Sequence, residues 1–414
     1  MSTSPAPSLP TPSAIEDPAF RYALRTAGIK PSLIREILKV AESPDIISFA
    51  GGLPAPELFP VGPVARALEQ VLPIEGPAAL QYGVTEGFYP LREWICRHLA
   101  ETVGLHPTPD SVVILHGSQQ GLDLIAKVLL DPGDTVLAEN PTYLGALHAF
   151  RSYEAHVVGI KSDGQGLLPE AFEQHLERSA VRPKFLYLNP TFQNPTGTTL
   201  PTERRHEIAR IAARFSIPIV EDDPYGELRF AGTAVPAMSA LDAGHTSIYL
   251  GTFSKILAPG FRVAWMVAPD HAFLERIVTA KQATDLHTST FNQHLVWETV
   301  RHEGMLSQHV ARLRDVYGRR RTQMLAALRR HFPADCTWTT PEGGLFLWVT
   351  APASIDTAAL LPQALTQKVA FVPGAPFWVN RPVRNTLRLN FSNASEERIE
   401  QGIARLGATL GAAR

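Results

Sequence analysis

Ser247-Ile248-Tyr249-Leu250-Gly251-Thr252-Phe253-Ser254-Lys255-Ile256-Leu257-Ala258-Pro259-Gly260-Phe261-Arg262 reads as a buried strand running out into a rigid turn. Residues 247–250 form a short apolar run of strand length, and Pro259-Gly260 turns the chain. Lys255 then stands just past the end of a strand, beside the hydroxyls of Thr252 and Ser254 and the guanidinium of Arg262. Most lysines lie on the surface, so a tight turn carrying a solvated lysine is one reading. The other is an amine that reacts with a carbonyl ligand, with the hydroxyls and the arginine holding that ligand's phosphate.

Working outward, residues 111 to 268 alternate short β-rich runs with helical patterns. Strands are expected at 111–115, 135–138, 156–160, 184–188, 217–221, 247–250 and 262–267. Helices are expected at 119–130, 144–152, 170–179 and 203–215. Such alternation predicts an α/β fold with a mainly parallel, seven-stranded sheet covered by helices on both faces. Ligands of these sheets sit at the carboxyl ends of the strands. A long helical stretch follows Asp270 to about His331, interrupted near 285–292 and at Gly304. Beyond Cys336, short strands (337–340, 345–349, 369–372, 386–391) mix with helices (356–367, 395–411), as in a smaller α+β domain. The expected division is a tail over 1–18, an arm with a covering helix over 19–50, a large domain over 51–300 and a small domain over 301–414.

Composition narrows the classes. The chain has 414 residues, 45% of them hydrophobic, enough for a sizeable core. Lys+Arg at 38 against Asp+Glu at 40 leaves no overall field for nucleic acid or an anionic membrane, so any anion site is local. Cys96 and Cys336 lie far apart and make neither a disulfide framework nor a zinc spacing. No apolar stretch reaches membrane-spanning length. Residues 1–18, rich in Ser, Pro, Thr and Ala, lack the basic start and apolar centre of a signal peptide. A cytoplasmic protein is expected.

Four further segments carry chemistry. In His116-Gly117-Ser118-Gln119-Gln120-Gly121 a strand ends, a glycine turns the chain and a helix begins. Free N–H groups at that helix start make a phosphate site; a plain glycine turn with Ser118 as N-cap is the alternative. Asn189-Pro190-Thr191-Phe192-Gln193-Asn194-Pro195-Thr196-Gly197 is a rigid loop able to fix the Asn194 amide against a ring oxygen. In Glu221-Asp222-Asp223-Pro224-Tyr225 a carboxylate could keep a pyridine nitrogen protonated, with Tyr225 donating to a ring oxygen. A solvated acidic loop or a metal ligand are the alternatives, although adjacent carboxylates cannot all point one way. Thr386-Leu387-Arg388-Leu389-Asn390-Phe391 puts an arginine into an alternating apolar strand. It is either a clamp for a substrate α-carboxylate or half of a buried ion pair.

Together these segments resemble the fold-type-I, class I/II aminotransferases that use pyridoxal 5'-phosphate, from about Arg25 to the C-terminus. Ser48-Phe49-Ala50-Gly51-Gly52-Leu53-Pro54, Leu80-Gln81-Tyr82-Gly83, Gly117-Ser118-Gln119-Gln120 and Lys281-Gln282-Ala283-Thr284-Asp285-Leu286-His287 resemble the 2-aminoadipate/kynurenine branch. The resemblance implies Lys255 as the cofactor-bound lysine and proton shuttle, Asp222 at the pyridine nitrogen, and Tyr225 and Asn194 at the ring hydroxyl. It implies Tyr143 stacked on the ring, and Ser118, Gln119, Thr252, Ser254 and Arg262 on the phosphate. Thr252 stands where the family often has serine, which keeps the hydroxyl. Tyr82 would reach the phosphate in a neighbouring subunit, so a homodimer is implied. Arg388 would hold the α-carboxylate, with Gly52, Asn194 and Tyr82 around the substrate. A helix over 31–39 would cover the substrate, with Arg35 placed for a distal carboxylate. The implied reaction is a ping-pong transfer of an amino group from an L-amino acid to 2-oxoglutarate, with 2-aminoadipate or glutamate as donors and breadth toward leucine-like and aromatic ones. A β-lyase on the same fold, or an effector-sensing domain without catalysis, are the other readings. The segment before Pro31 is too short and insufficiently basic for a DNA-binding module.

Overall fold

The computed structural model describes residues 22–23, 25–26, 36–37, 43, 45–242 and 246–413. The expected tail and most of the covering helix, Arg35 included, lie outside the described residues.

The large sheet contains all seven expected strands: β2 (Val112–Leu115), β3 (Thr135–Asn140), β4 (His156–Asp163), β6 (Leu186–Leu188), β7 (Ile219–Asp222), β8 (Ile248–Thr252) and β9 (Ala264–Val267). A two-residue strand, β5 (Gly166–Leu167), adds an eighth at the edge. The order is β2-β9-β8-β7-β6-β3-β4-β5. Strands β8, β7, β6, β3 and β4 run parallel, and β9 is antiparallel to both β8 and β2. Consequently β2, β3, β6, β7 and β8 all present their carboxyl ends on one side. Side-chain alternation covers both faces: Val112 and Ile114 enter one core, Val113 and Leu115 the other. Burial on both faces explains why these strands read as near-continuous apolar runs.

One expected strand is corrected. Residues 262–263 do not extend β9, because Arg262 takes φ +54 at the end of the short turn Pro259–Phe261. That left-handed conformation cannot join a ladder.

A second, antiparallel sheet has the order β10 (Thr337–Trp338), β11 (Phe346–Thr350), β14 (Thr386–Asn390), β13 (Val372–Pro373). Its centre is β14, where Arg388 pairs with Trp348 on one side and Val372 on the other. β1 (Ile47–Ser48) pairs in parallel with β12 (Val369–Ala370), so the chain entering the large sheet is first anchored beside this second one. The helical stretch breaks where expected, into His271–Asp285, Thr290–Val300 and Met305–His331. The helices Val61–Ala79 and Tyr89–Val103 add to the elements read from the sequence.

Candidate active site

Among the described residues, the site residues singled out in the sequence, except for Tyr82, line one cavity of about 260 Å3. It lies at the carboxyl ends of the parallel strands, where the fold predicts it. A larger groove of about 1070 Å3 elsewhere contains none of them. Chemistry rather than size therefore identifies the site.

Lys255 follows β8 by three residues, and its Nζ donates to the Gly52 carbonyl at 2.8 Å. Burial, with the positive charges of Arg388 and Arg262 nearby, lowers its ammonium pKa from 10.5 to about 8. The solvated surface lysine is thereby excluded. The Gly52 carbonyl thus meets the amine directly, and a Cβ on Gly52 would touch Phe346 at 3.0 Å.

The three adjacent acids after Val220 are all buried and point to different partners. Glu221 accepts from the backbone of Met238 and Ser239 and from the Ser239 hydroxyl. Asp223 accepts from the Gly226 N–H and the Tyr249 hydroxyl. Asp222 Oδ2 accepts from the Tyr187 hydroxyl at 2.8 Å, while its Oδ1 is buried without a hydrogen-bond partner. Burial pushes the Asp222 pKa up to about 6, against the Tyr187 hydrogen bond, which holds it down. A solvated acidic loop does not fit this geometry, and divergent carboxylates do not make a metal site. Tyr187 was not among the residues read from the sequence. Its signal is a phenol inside the apolar strand β6, since a buried tyrosine hydroxyl needs a partner.

Asn189, at the start of the rigid loop, organises it. Its side chain donates to the Asp222 carbonyl at 2.6 Å and accepts the Asn194 N–H at 2.7 Å. Its own N–H donates to buried Glu139 at 2.8 Å. The loop thereby brings Asn194 beside Tyr225 and Arg388. Burial holds the Tyr225 phenol well above its ordinary range, so it stays a proton donor. Tyr143 caps the helix Leu144–Ser152 from outside, and its phenol is pushed up to about 12 by burial. Its ring lies against Gly145, where a Cβ would come within 2.4 Å. Gln119 steadies that turn through Nε2 to the Gly145 carbonyl at 2.9 Å.

The N-cap of the helix Ser118–Leu129 is Gly117, at φ +82, and Ser118 is the first helical residue. Ser118 as N-cap is thus corrected, and its hydroxyl is not used to close the helix. A Cβ on Gly117 would lie 2.2 Å from Arg262 Nη2, so only glycine lets that guanidinium sit against the helix start. Thr252 Oγ1 donates to Ser254 Oγ at 2.9 Å and accepts the Ser254 N–H at 3.1 Å. Helix N–H groups, two hydroxyls and a guanidinium converge, which suits a phosphate.

Arg388 is 1% exposed. Its Nη1 donates to Asn194 Oδ1 and its Nη2 to the Ala50 carbonyl, both at 2.7 Å. Its guanidinium stacks 4.2 Å from the Phe346 ring centre and 5.3 Å from that of Phe377. Among the described residues no carboxylate pairs with it, and its Nε has no hydrogen-bond partner. The buried ion pair is therefore set aside. Burial lowers its pKa to about 10, which leaves it charged at neutral pH. Phe346 was not read from the sequence either; an aromatic in an apolar strand carries no local mark of a site. Tyr82 is 78% exposed and lies outside this cavity.

These features fit pyridoxal 5'-phosphate. An unpartnered carboxylate oxygen would suit a ring N–H, a phenol and an amide would suit a ring hydroxyl, and a cup of anion-binding groups lies beside a buried amine. The family model for class I and II aminotransferases matches residues 51–406. Aromatic-amino-acid aminotransferase 1 of Thermococcus litoralis is 44% identical over 392 residues, 94% of each chain. The crystal structure of Pyrococcus horikoshii kynurenine aminotransferase, in complex with PMP, superposes with a TM-score of 0.91 at 42% identity, covering 97% of this chain and 99% of that one. LysN, the alpha-aminoadipate aminotransferase of Thermus thermophilus, complexed with N-(5'-phosphopyridoxyl)-L-leucine, gives 0.87 at 42% identity, covering 95% and 97%. The chain belongs to the class I and II aminotransferases of fold type I, enzymes that work with pyridoxal 5'-phosphate.

Proposed function

We propose that this aminotransferase moves the α-amino group of an L-amino acid to 2-oxoglutarate in two half-reactions, with 2-aminoadipate as donor, glutamate as the product that donates in the reverse direction, and breadth toward leucine-like and aromatic side chains. The observation that carries the reading is Arg388, a buried cation with donors to spare and no acidic partner among the described residues. A substrate α-carboxylate supplies the missing anion. The names of the relatives, which span aromatic amino acids, kynurenine and aminoadipate, support the breadth. A place in lysine biosynthesis fits the reverse direction, in which glutamate donates and aminoadipate is formed, and the likeness to LysN supports it.

The residues divide the work. The bound cofactor supplies a protonated ring that takes up negative charge from the substrate Cα. Asp222 holds the positive charge of that ring through its free Oδ1. Tyr225 and Asn194 would hold the ring oxygen, and Tyr143 would pack against the ring. Ser118, Gln119, Thr252, Ser254 and Arg262 form the phosphate cup. Arg388 fixes the carboxylate and so turns the Cα–H bond toward Lys255. With its pKa near 8, the Lys255 amine is partly neutral at physiological pH and takes the Cα proton.

The same reading makes the protein a homodimer. Large apolar side chains between Val61 and Val84 are exposed, including Leu68, Leu72, Ile74, Leu80 and Tyr82. Large apolar side chains exposed in this number along one segment suit a surface that a second subunit covers, and Tyr82 among them would reach the neighbouring subunit's phosphate.

An amino-donor panel with 2-oxoglutarate, followed by cofactor absorption, tests the proposal. Before the keto acid is added, glutamate, aminoadipate, leucine and phenylalanine should each convert the cofactor to its amine form, and 2-oxoglutarate should then reverse the change. No conversion by these donors, with pyruvate and ammonia released instead from a donor that bears a β-leaving group such as cysteine, would contradict it. In this reading Arg35 meets a distal carboxylate, so Arg35→Ala raises KM for dicarboxylic donors and spares leucine and phenylalanine. Equal losses for both classes would remove that contact.

A further inference from the structure

Lys281 places a charge where an apolar side chain would fit. It lies on the helix His271–Asp285 with its side chain 0% exposed. Its ammonium donates to both Asp285 oxygens at 2.8 and 2.9 Å, to Gln120 Oε1 at 3.1 Å and to Thr288 Oγ1 at 3.1 Å. An ammonium buried beside a partly exposed carboxylate loses much of its attraction to the cost of its own desolvation. Its worth lies in what it holds in place.

Two of its partners grip the chain just before the phosphate cup. Gln120 Oε1 also accepts the His116 N–H at 2.7 Å, and Gln120 Nε2 donates to Asp285 Oδ2 at 2.6 Å. Thr288 Oγ1 donates to the Ile114 carbonyl at 3.3 Å. The end of β2 and the residue preceding Gly117 are thus tied to one buried ammonium. The same segment then reaches Tyr82. Leu286 takes φ +64, unfavourable for leucine, although it is 48% exposed and not held by its own packing. One residue on, the His287 ring meets the Tyr82 ring edge-on at 5.7 Å, and the Gly83 N–H faces His287 Nε2 at 3.4 Å.

We propose that Lys281, Asp285 and Gln120 form a positioning brace that fixes the phosphate-binding turn and, through His287, the seat of Tyr82. It governs how much of the cofactor's affinity its phosphate contributes. This rests on the phosphate cup assigned above.

The test compares two probes on the apo protein, pyridoxal 5'-phosphate and pyridoxal, each titrated by absorbance. Wild type should bind the phosphorylated probe far more tightly; equal binding would overturn the cup and the brace together. Lys281→Met should weaken the phosphorylated probe about tenfold, the scale of one or two misaligned charge-assisted hydrogen bonds. Pyridoxal should change less than about twofold. Gln120→Leu leaves the Lys281–Asp285 pair intact and sits on a half-buried residue, so it decides the matter if the first variant does not fold. It should show the same phosphate-specific loss. Wild-type preference for the phosphate together with unchanged affinities, or equal weakening of both probes, would overturn the brace alone.

Discussion

Around Lys255 the large sheet contributes its turns, whereas the small sheet contributes the middle of a strand. Asp222, Tyr143, Asn194 and the Gly117–Ser118 cup all lie at or just past strand ends, where backbone N–H groups and sharp turns are available. Arg388 sits at the centre of the five-residue strand β14, with both flanking strands paired to it. The first construction holds a ligand by many short contacts, each replaceable in part. The second depends on one guanidinium locked between Phe346 and Phe377. The cofactor side should therefore degrade in steps under mutation and the substrate side all at once, with the reacting amine between them as the exception.

Lys255→Ala removes that amine and should lower kcat by about four orders of magnitude, the upper range for acid–base catalysis. A loss under about tenfold would show that another base acts. Arg388→Ala should cut kcat/KM for every amino acid by about a hundredfold or more, the worth of two charge-assisted hydrogen bonds, with little change in cofactor affinity. Arg388→Lys should rescue little, because an ammonium cannot reproduce the planar fork stacked on Phe346. Full rescue would mean that charge alone matters and the contrast between the two sides fails.

Gly117→Ala forces a Cβ into Arg262 at φ +82, and should weaken cofactor binding about tenfold while leaving donor preference intact. The smallest effect is expected of Tyr187→Phe. It removes the hydrogen bond that holds the Asp222 carboxyl down, so that pKa rises. The ionised carboxylate is the active form and is lost as pH falls through its pKa. The acid limb of the kcat profile should therefore shift to higher pH, with activity at pH 8 nearly unchanged. A shift to lower pH would contradict the assigned role.

The contrast also explains what the sequence made legible. Turn-built parts announce themselves: Gly117, the two Asn-Pro steps and Pro259-Gly260 are residues that only constrained backbone requires. Arg388 showed as an anomaly, a cation in an apolar alternation, although the sequence could not say whether an acid or two phenyl rings surrounded it. Tyr187, Asn189 and Phe346 act through contacts distant in sequence and share the pattern of ordinary core residues. Arg262 was read as the start of a strand, since nothing local reveals that its backbone turns left-handed against Gly117. The helix Val61–Ala79 escaped reading because it contains Pro73 and Pro77, which ordinarily argue against a helix interior.

In this enzyme the amine of Lys255 is the group proposed to take the cofactor. It is tested most directly by loading the protein with pyridoxal 5'-phosphate, reducing with borohydride and mapping the modified peptide by mass spectrometry. A single phosphopyridoxyl adduct on Lys255 should result, formed faster as pH rises toward about 8 and levelling off above it, because the neutral amine reacts. An adduct on another lysine, or none on a protein that has turned yellow, would contradict it.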